Sequence, residues 1–173
     1  SVGLQGPGLK NWAANELPSL IESGASIIVS IWGRTTQDYK DAAEFCRDLP
    51  NEVIAVEVNV SCPNVEDRGE IFSHSASMTK AVMEATNNVG RPRWAKLSPN
   101  TSDLVSIAKA AVDGGADALT IANTLLGMAI DIETGRPILG AGGGGLSGPA
   151  IRPVAVRSVF DVRSALPQIP IIG

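Results

Sequence analysis

The sequence predicts an α/β fold in which short parallel strands alternate with helices, and two observations favour it. Five apolar segments of four to eight residues have the length of buried strands, and several are rich in valine and isoleucine. Most segments between them carry apolar residues at helical spacing. Strands that alternate with helices form βαβ units, whose strands lie parallel in one sheet. The predicted strands are residues 26–31, 53–60, 94–97, 118–121 and 169–172.

Five helices are predicted from the apolar spacing and from the residues that start and stop helices. Pro18 should bend the first of them, and the fourth should begin at an N-cap formed by Thr101 or Ser102. Cys46 falls on the apolar face of the second helix, so we predict that it packs in the core. The predicted helices are residues 9–22, 36–49, 75–88, 102–112 and 153–165.

The segment between the fourth strand and the last helix departs from this regular alternation. Residues 128–132 and 136–139 flank a Thr134-Gly135 turn, which predicts a β-hairpin inserted in a loop. Six of the nine residues from 140 to 148 are glycine. Such a run is either a flexible loop or a backbone site that binds phosphate at the start of a helix.

Two α/β architectures compete for this pattern, an open doubly wound sheet and a closed barrel. No GxGxxG motif follows the first strand, which disfavours a dinucleotide-binding sheet. A complete (β/α)8 barrel needs about 250 residues. We therefore expect residues 1–173 to be the central part of a single TIM-barrel domain, truncated at both ends, with about five βα units and the inserted hairpin.

The composition excludes several classes of function. The net charge is −4 and no apolar run approaches the length of a membrane span, which predicts neither a nucleic-acid surface nor a membrane protein. Two cysteines make no disulfide framework, so a reducing, cytoplasmic location is expected. One histidine, His74, and no CxxC motif predict no metal site; we expect His74 to be solvated or to cap a helix.

Polar residues recur where four consecutive predicted strands end. In a βα barrel the carboxyl ends of the strands carry the active site, so these residues should converge on a polar ligand. Lys96 either extends to the solvent at the rim of the barrel or places a fixed cation against an anionic ligand. Asn59 and Asn123 either cap the strand ends or bind a planar ligand edged with carbonyl and N–H groups. The strand-end residues are Ser30, Asn59, Lys96, Asn123 and Thr124.

Cys62 lies just past the second strand, between asparagines and next to Pro63. It is either a small buried hydrophobic residue or a reactive thiol. The proline and the charged stretch that follows it favour the second alternative. Residues 65–72 would then serve as a lid that closes over the chemistry.

Several motifs, in this order along the chain, resemble one family. They are VGLQGPG, NVSCPN, KLSPN, ANTLLG, GGGGLSGPAIRPVAV and PIIG. This set resembles the class 1 dihydroorotate dehydrogenases over essentially the whole chain, and it looks closest to their NAD-linked subtype. The resemblance implies a (β/α)8 barrel that carries FMN and oxidises dihydroorotate to orotate in pyrimidine biosynthesis.

The resemblance also implies roles for individual residues. Cys62 would be the catalytic base that removes the C5 proton while a hydride passes from C6 to FMN. Lys96 would lie beside the flavin and stabilise the negative charge of its reduced ring. The implied substrate-binding residues are Gly3, Leu4, Asn59, Asn64, Asn123 and Thr124, and the implied cofactor-binding residues are Ser30, Asn59, Lys96, Ala122 and Gly148. The family usually has asparagine near Ser30 and a bulkier aliphatic residue near Ala122, so these two contacts are where the chain departs from the pattern.

The resemblance implies partners as well. They are a second catalytic subunit in a homodimer and an electron-transfer subunit with FAD and an iron–sulfur cluster. Two alternatives stay open: the flavin domain of a dihydropyrimidine dehydrogenase-like enzyme, and a non-catalytic fragment that only binds a partner. The family's glycine loops for the FMN phosphate would follow Gly173, so we expect the isolated 173-residue chain to be unstable or inactive.

Overall fold

A computed structural model describes residues 6–61 and 75–173 of the chain. The helices in these ranges are α1 Leu9–Asn15, α2 Leu17–Glu22, α3 Thr36–Arg47, α4 Ala76–Ala85, α5 Leu104–Asp113 and α6 Arg152–Ala165, with 3₁₀ helices at Asn87–Val89 and Pro149–Ile151. The strands are β1 Ile27–Ile31, β2 Val53–Asn59, β3 Arg93–Leu97, β4 Ala118–Ile121, β5 Leu125–Gly127, β6 Gly144–Leu146 and β7 Ile171–Ile172.

Five strands form one parallel sheet in the order β1-β2-β3-β4-β7. A doubly wound sheet reverses its strand order at a switch point and carries helices on both faces. Here the strands follow one another in chain order, and helices α3 to α6 pack side by side in a single layer. The α/β prediction is confirmed, and this arrangement is consistent with part of a (β/α)8 barrel.

The two faces of the sheet differ in their side chains because successive residues of a strand point to opposite sides. The face toward helices α3 to α6 is apolar, and fully burying one such side chain stabilises the fold by about 1.5–3 kcal/mol. Its buried residues include Val29, Ile31, Val56, Val58, Ala95, Leu97, Leu119 and Ile121. The opposite face, which we call the open face, carries half-buried or exposed polar residues: Ser30, Glu57, Asn59, Lys96 and Thr120.

The helix caps explain where α3 and α5 begin. Thr35 and Asp38 form a capping box, in which the Thr35 hydroxyl accepts from the Asp38 backbone N–H at 3.1 Å. The N-cap of α5 is Asp103, whose carboxylate accepts from the Ser106 N–H at 3.0 Å. The predicted N-cap, Thr101 or Ser102, is therefore wrong, because the carboxylate of the next residue satisfies the first turn.

The predicted first helix, residues 9–22, is two helices rather than one bent helix. It breaks at Glu16, and Pro18 follows in the first turn of α2. Proline has no N–H to continue the helical ladder, so a helix that begins just before it loses nothing.

The inserted segment is a hairpin with a different ladder from the predicted one. The turn at Gly135 is present with φ of 67°, and the Asp131 N–H donates to the Arg136 carbonyl at 2.9 Å. Residues 128–132 and 136–139 form no strands, however; a single bridge joins Ile130 to Pro137. Continuous pairing lies instead between β5 and β6, and β6 lies within the glycine-rich run.

At the amino-terminal end of β3, the buried Arg93 side chain bonds to two other segments of the chain. Arg93 donates to the Met83 carbonyl, to the Thr86 hydroxyl and to the Gly115 carbonyl. Burial lowers the pKa of this guanidinium. These bonds satisfy carbonyls at the end of α4 and before β4, and they link both segments to β3.

None of the helices in residues 6–61 and 75–173 combines the length and apolar character needed to cross a membrane.

Candidate functional site

The polar residues at the carboxyl ends of the strands converge on the open face. The strand register places Ser30 beside Glu57, Asn59 beside Lys96, and Lys96 beside Thr120. These side chains occupy two adjacent levels of the sheet, because Glu57 and Asn59 are two residues apart on β2, and together they form a staggered row across β1 to β4. The predicted convergence of Ser30, Asn59 and Lys96 is therefore present in the fold.

The centre of this row is Glu57, a charged residue between two valines of β2. Its side chain is 14% exposed. One carboxylate oxygen, Oε1, accepts from the Ser30 hydroxyl at 2.9 Å, and the other, Oε2, accepts from the Thr120 hydroxyl at 2.9 Å. Both oxygens of this largely buried carboxylate thus accept a hydrogen bond.

Lys96 supplies the positive charge next to this carboxylate. Its Nζ lies 3.8 Å from Glu57 Oε1, and its side chain is 31% exposed. A charge-assisted hydrogen bond is about 2.7–2.9 Å long, so the two groups attract without forming a direct bond. Within the part of the chain that the structure describes, no group accepts a hydrogen bond from Nζ, so its three donors can serve a ligand.

Two side-chain amides lie near Lys96 in the sheet: Asn59 is its register partner on β2, and Asn123 is bonded to Asn59. Asn123 donates through Nδ2 to Asn59 Oδ1 at 3.2 Å, and the Ser61 N–H donates to the same oxygen at 3.1 Å. The Asn123 oxygen accepts from the Thr124 N–H at 2.8 Å. These bonds fix which end of each amide donates and which accepts. They also bring the ends of β2 and β4 together across β3.

Hydrogen bonds to helix α3 and strand β3 hold Asn59 and Ser61 in place. The buried Tyr39 of α3 donates its hydroxyl to the Asn59 carbonyl at 2.8 Å. The Ser61 hydroxyl donates to the Lys96 carbonyl at 3.1 Å. Helix α3 and strand β3 thus both anchor the point where the chain leaves β2 toward Cys62.

Asn100 fastens the loop after β3 to the loop after β4. Its Nδ2 donates to the Thr124 carbonyl and to the Ser98 hydroxyl, both at 2.9 Å. Its Oδ1 accepts from the Leu126 N–H at 2.8 Å. Asn100 therefore orders the backbone on which Asn123 and Thr124 lie.

Three further predicted site residues fall at the edge of this arrangement. Ala122 is half-buried and follows β4 directly, and Thr124 is exposed with its side chain against Gly145. Gly148 is exposed with φ of 77° and precedes the 3₁₀ helix. Among the described residues no hydrogen bond links Gly148 to the row on the open face. Gly3, Leu4, Cys62, Asn64 and His74, and the proposed lid at residues 65–72, lie outside the described residues.

The sequence reasoning missed Glu57, Thr120 and Asn100. Glu57 and Asn59 are two positions apart in one strand, so they share a face, and an acidic residue in an apolar run was the available signal. Thr120 gave no such signal, because threonine is common in strands. Asn100 stands in the KLSPN motif, but its contacts depend on a loop that is distant in sequence.

The row on the open face suits a flat, polar ligand such as a flavin or a pyrimidine ring. It places an ammonium group, two side-chain amides of fixed orientation and two hydroxyl groups on one face of the sheet. The described residues contain no group of three or more histidine, cysteine, aspartate or glutamate side chains placed to share a metal ion.

Comparison with known proteins shows the family of this chain. The family model for dihydroorotate dehydrogenase matches residues 1–173. The catalytic subunit of dihydroorotate dehydrogenase B (NAD(+)) from Alkaliphilus oremlandii is 48% identical over all of this chain and 57% of its own length. The corresponding subunits from Geobacillus kaustophilus and Listeria monocytogenes serotype 4a are each 46% identical over the whole chain, which covers 55% and 57% of their lengths. The chain thus spans little more than half the length of these relatives. It belongs to the dihydroorotate dehydrogenase family.

Proposed function

We propose that this chain carries part of the active site of an FMN-dependent enzyme that oxidises dihydroorotate to orotate in pyrimidine biosynthesis. The observation that carries the proposal is the row of Glu57, Lys96, Asn59 and Asn123 at the carboxyl ends of three adjacent strands. The match to the NAD-linked catalytic subunits along the whole chain supports this substrate and this reaction class.

In this proposal, Lys96 and the amides divide the binding of two flat rings between them. The chemistry that FMN supplies when bound is acceptance of the hydride that leaves C6 of dihydroorotate. The Lys96 ammonium, one-third exposed on the open face, would offset negative charge that develops on a ring lying against it. Asn59, Asn123 and Thr124 would bind the carbonyl and N–H edges of the substrate. Ser30, Ala122 and Gly148 would complete the cofactor side.

Cys62 is proposed as the base that takes the C5 proton. Oxidation of dihydroorotate removes one proton from C5 and one hydride from C6, so the chain must supply a proton acceptor. A thiolate at the start of the loop after β2 meets this need, because the preceding residues Asn59 and Ser61 are already anchored to the site. The NVSCPN motif supports this assignment, together with substrate contacts by Asn64, Gly3 and Leu4.

The rest of the enzyme would close the barrel and carry the electrons away. We infer that the five-stranded sheet is part of a (β/α)8 barrel, since its strands run in chain order with α3 to α6 on one side. The relatives are each named as a catalytic subunit, which supports the presence of a partner subunit. That partner would hold FAD and an iron–sulfur cluster, and two catalytic subunits would pair.

The test uses the product of the complete open reading frame that encodes this chain, loaded with FMN under anaerobic conditions. Dihydroorotate should bleach the flavin absorbance, and dihydrouracil should not. Bleaching by dihydrouracil alone would instead indicate a dihydropyrimidine dehydrogenase-like enzyme. No bleaching by either compound in FMN-loaded protein would refute the proposal.

A pair of cysteine variants tests the base. Cys62→Ala should abolish bleaching by dihydroorotate, and Cys62→Ser should retain some of it only at high pH, because a hydroxyl is a far weaker acid than a thiol. Cys46→Ala is the matched control: Cys46 is buried on the helix side of the sheet, so its loss should leave bleaching intact. Unchanged bleaching by Cys62→Ala would refute the base assignment.

A further inference from the structure

We propose that Glu57 is the positioning residue for Lys96: its carboxylate fixes the place from which the ammonium meets the bound ring. The inference rests on the proposed function and deepens it, since it concerns how the chain prepares its own cation for the cofactor. Glu57 is not among the residues that the sequence motifs pointed to.

The carboxylate of Glu57 is held from two opposite sides. Ser30 on β1 donates to Oε1 and Thr120 on β4 donates to Oε2, each at 2.9 Å. Turning the carboxylate would break at least one of these bonds. With only 14% of the side chain exposed, water cannot readily replace them. The anion is therefore a fixed point on the open face.

Lys96 lies on β3, beside the strand of Glu57, with its Nζ 3.8 Å from Oε1. A lysine stem has four carbons and many rotamers, so an unpaired ammonium would sample a wide volume. Attraction to the fixed carboxylate confines it. The distance leaves the ammonium donors unengaged by Glu57, so the pair orders the cation without occupying the donors.

Positioning and simple charge compensation predict opposite results. If Glu57 holds Lys96 in place, replacing Glu57 should make Lys96 matter less to FMN binding. If Glu57 only neutralises part of the charge, replacing it should make Lys96 matter more.

The experiment is a double-mutant cycle on the product of the complete open reading frame. The dissociation constant of FMN is measured from flavin fluorescence for the parent, Glu57→Gln, Lys96→Met and the double variant. We expect the factor by which Lys96→Met weakens FMN binding to shrink by about threefold or more in the Glu57→Gln background, which is within the coupling seen for contacting residues. A factor that stays the same or grows overturns the proposal.

Three further variants sharpen this test. Thr120→Val and Ser30→Ala each free one carboxylate oxygen without removing the charge, and both should reduce the Lys96 factor in the same direction. Glu84→Gln is the matched control, because Lys80 and Glu84 also lie 3.8 Å apart but on an exposed helix surface. It should leave the factor unchanged.

A ligand-free measurement separates this inference from the proposed function. The same cycle is read by urea unfolding of the protein without FMN, where the coupling of Glu57 with Lys96 should exceed that of Lys80 with Glu84. Equal or smaller coupling contradicts the positioning role even if dihydroorotate bleaches the flavin. Conversely, absence of FMN binding or bleaching in the parent refutes the proposed function, while this cycle still decides whether Glu57 orders Lys96.

Discussion

The hydroxyl group of Tyr39 provides a direct test of how helix α3 supports the site. Tyr39 is fully buried, and its hydroxyl donates to the carbonyl of Asn59 at 2.8 Å. Tyr39→Phe removes the hydroxyl and keeps the ring, so no large cavity forms. The expected effect is therefore the loss of this hydrogen bond and the cost of the acceptor that it leaves behind.

The magnitude follows from the surroundings of the two groups. A neutral hydrogen bond contributes about 0.5–1.5 kcal/mol net, and a buried acceptor left without a partner costs about 1–3 kcal/mol. Asn59 is half-buried, so water can partly replace the lost donor. We expect Tyr39→Phe to reduce the free energy of unfolding by about 1–2 kcal/mol. Tyr39→Ala also opens a cavity and should cost about 3–5 kcal/mol.

The measurement is urea unfolding of the complete open reading frame product, with linear extrapolation to water. The slope of the unfolding free energy with urea should be the same for Tyr39→Phe and the parent. A loss below about 0.3 kcal/mol for Tyr39→Phe, well under the net worth of one hydrogen bond, would show that the link from α3 to Asn59 does not stabilise the protein.

Three other predictions concern the framework. In urea unfolding, Gly115→Ala should destabilise the protein by about 1 kcal/mol or more beyond Gly24→Ala. Both glycines have positive φ, but only at Gly115 would an added Cβ collide with Arg93. Equal losses in the two variants would contradict this explanation. Burial raises the pKa of the Cys46 thiol to about 11, so a thiol reagent at pH 8 should label Cys46 only as the protein unfolds; rapid labelling of folded protein, absent in Cys46→Ala, would contradict this. Hydrogen bonds from the backbone N–H of Arg34 and from Thr35 hold the pKa of Asp38 below its usual value. The stabilisation that this carboxylate provides is therefore present above the unfolded pKa of about 3.9 and is lost as the pH falls through the lower folded pKa. Asp38→Asn should flatten that part of the acid dependence of the urea midpoint, and an unchanged slope would refute the assignment.

The order of strands and helices followed from the sequence because it depends on local patterns. β4 begins and ends as predicted, and the first three strands differ from prediction by one residue at one end. Apolar runs and helical spacing report which side of each element faces the core, and that is a property of neighbouring residues. The same patterns placed Ser30, Asn59 and Lys96 at strand ends, and the buried position of Cys46 was also predicted correctly.

The wrong predictions concern the N-cap of α5 and the pairing of the inserted segment. In both cases, contacts that the local apolar pattern does not report determine the structure. Asp103 caps α5 by accepting from the Ser106 N–H, whereas the Thr101 hydroxyl accepts from the Asp103 N–H, outside the helix. Continuous pairing in the inserted segment joins β5 to β6, and β6 lies within a glycine-rich run whose composition alone resembles a loop. Neither outcome is encoded in hydrophobic periodicity.

The sequence by itself determined the alternation of strands and helices, the polar strand ends and the family to which the chain belongs. Only the tertiary structure decided that Glu57 lies at the centre of the site. The bonds from Ser30 and Thr120 to its carboxylate join residues 27 and 63 positions apart. Such bonds depend on the order and register of β1, β2, β3 and β4 in the sheet. The register places Glu57 between the hydroxyl groups of Ser30 and Thr120 and next to Lys96.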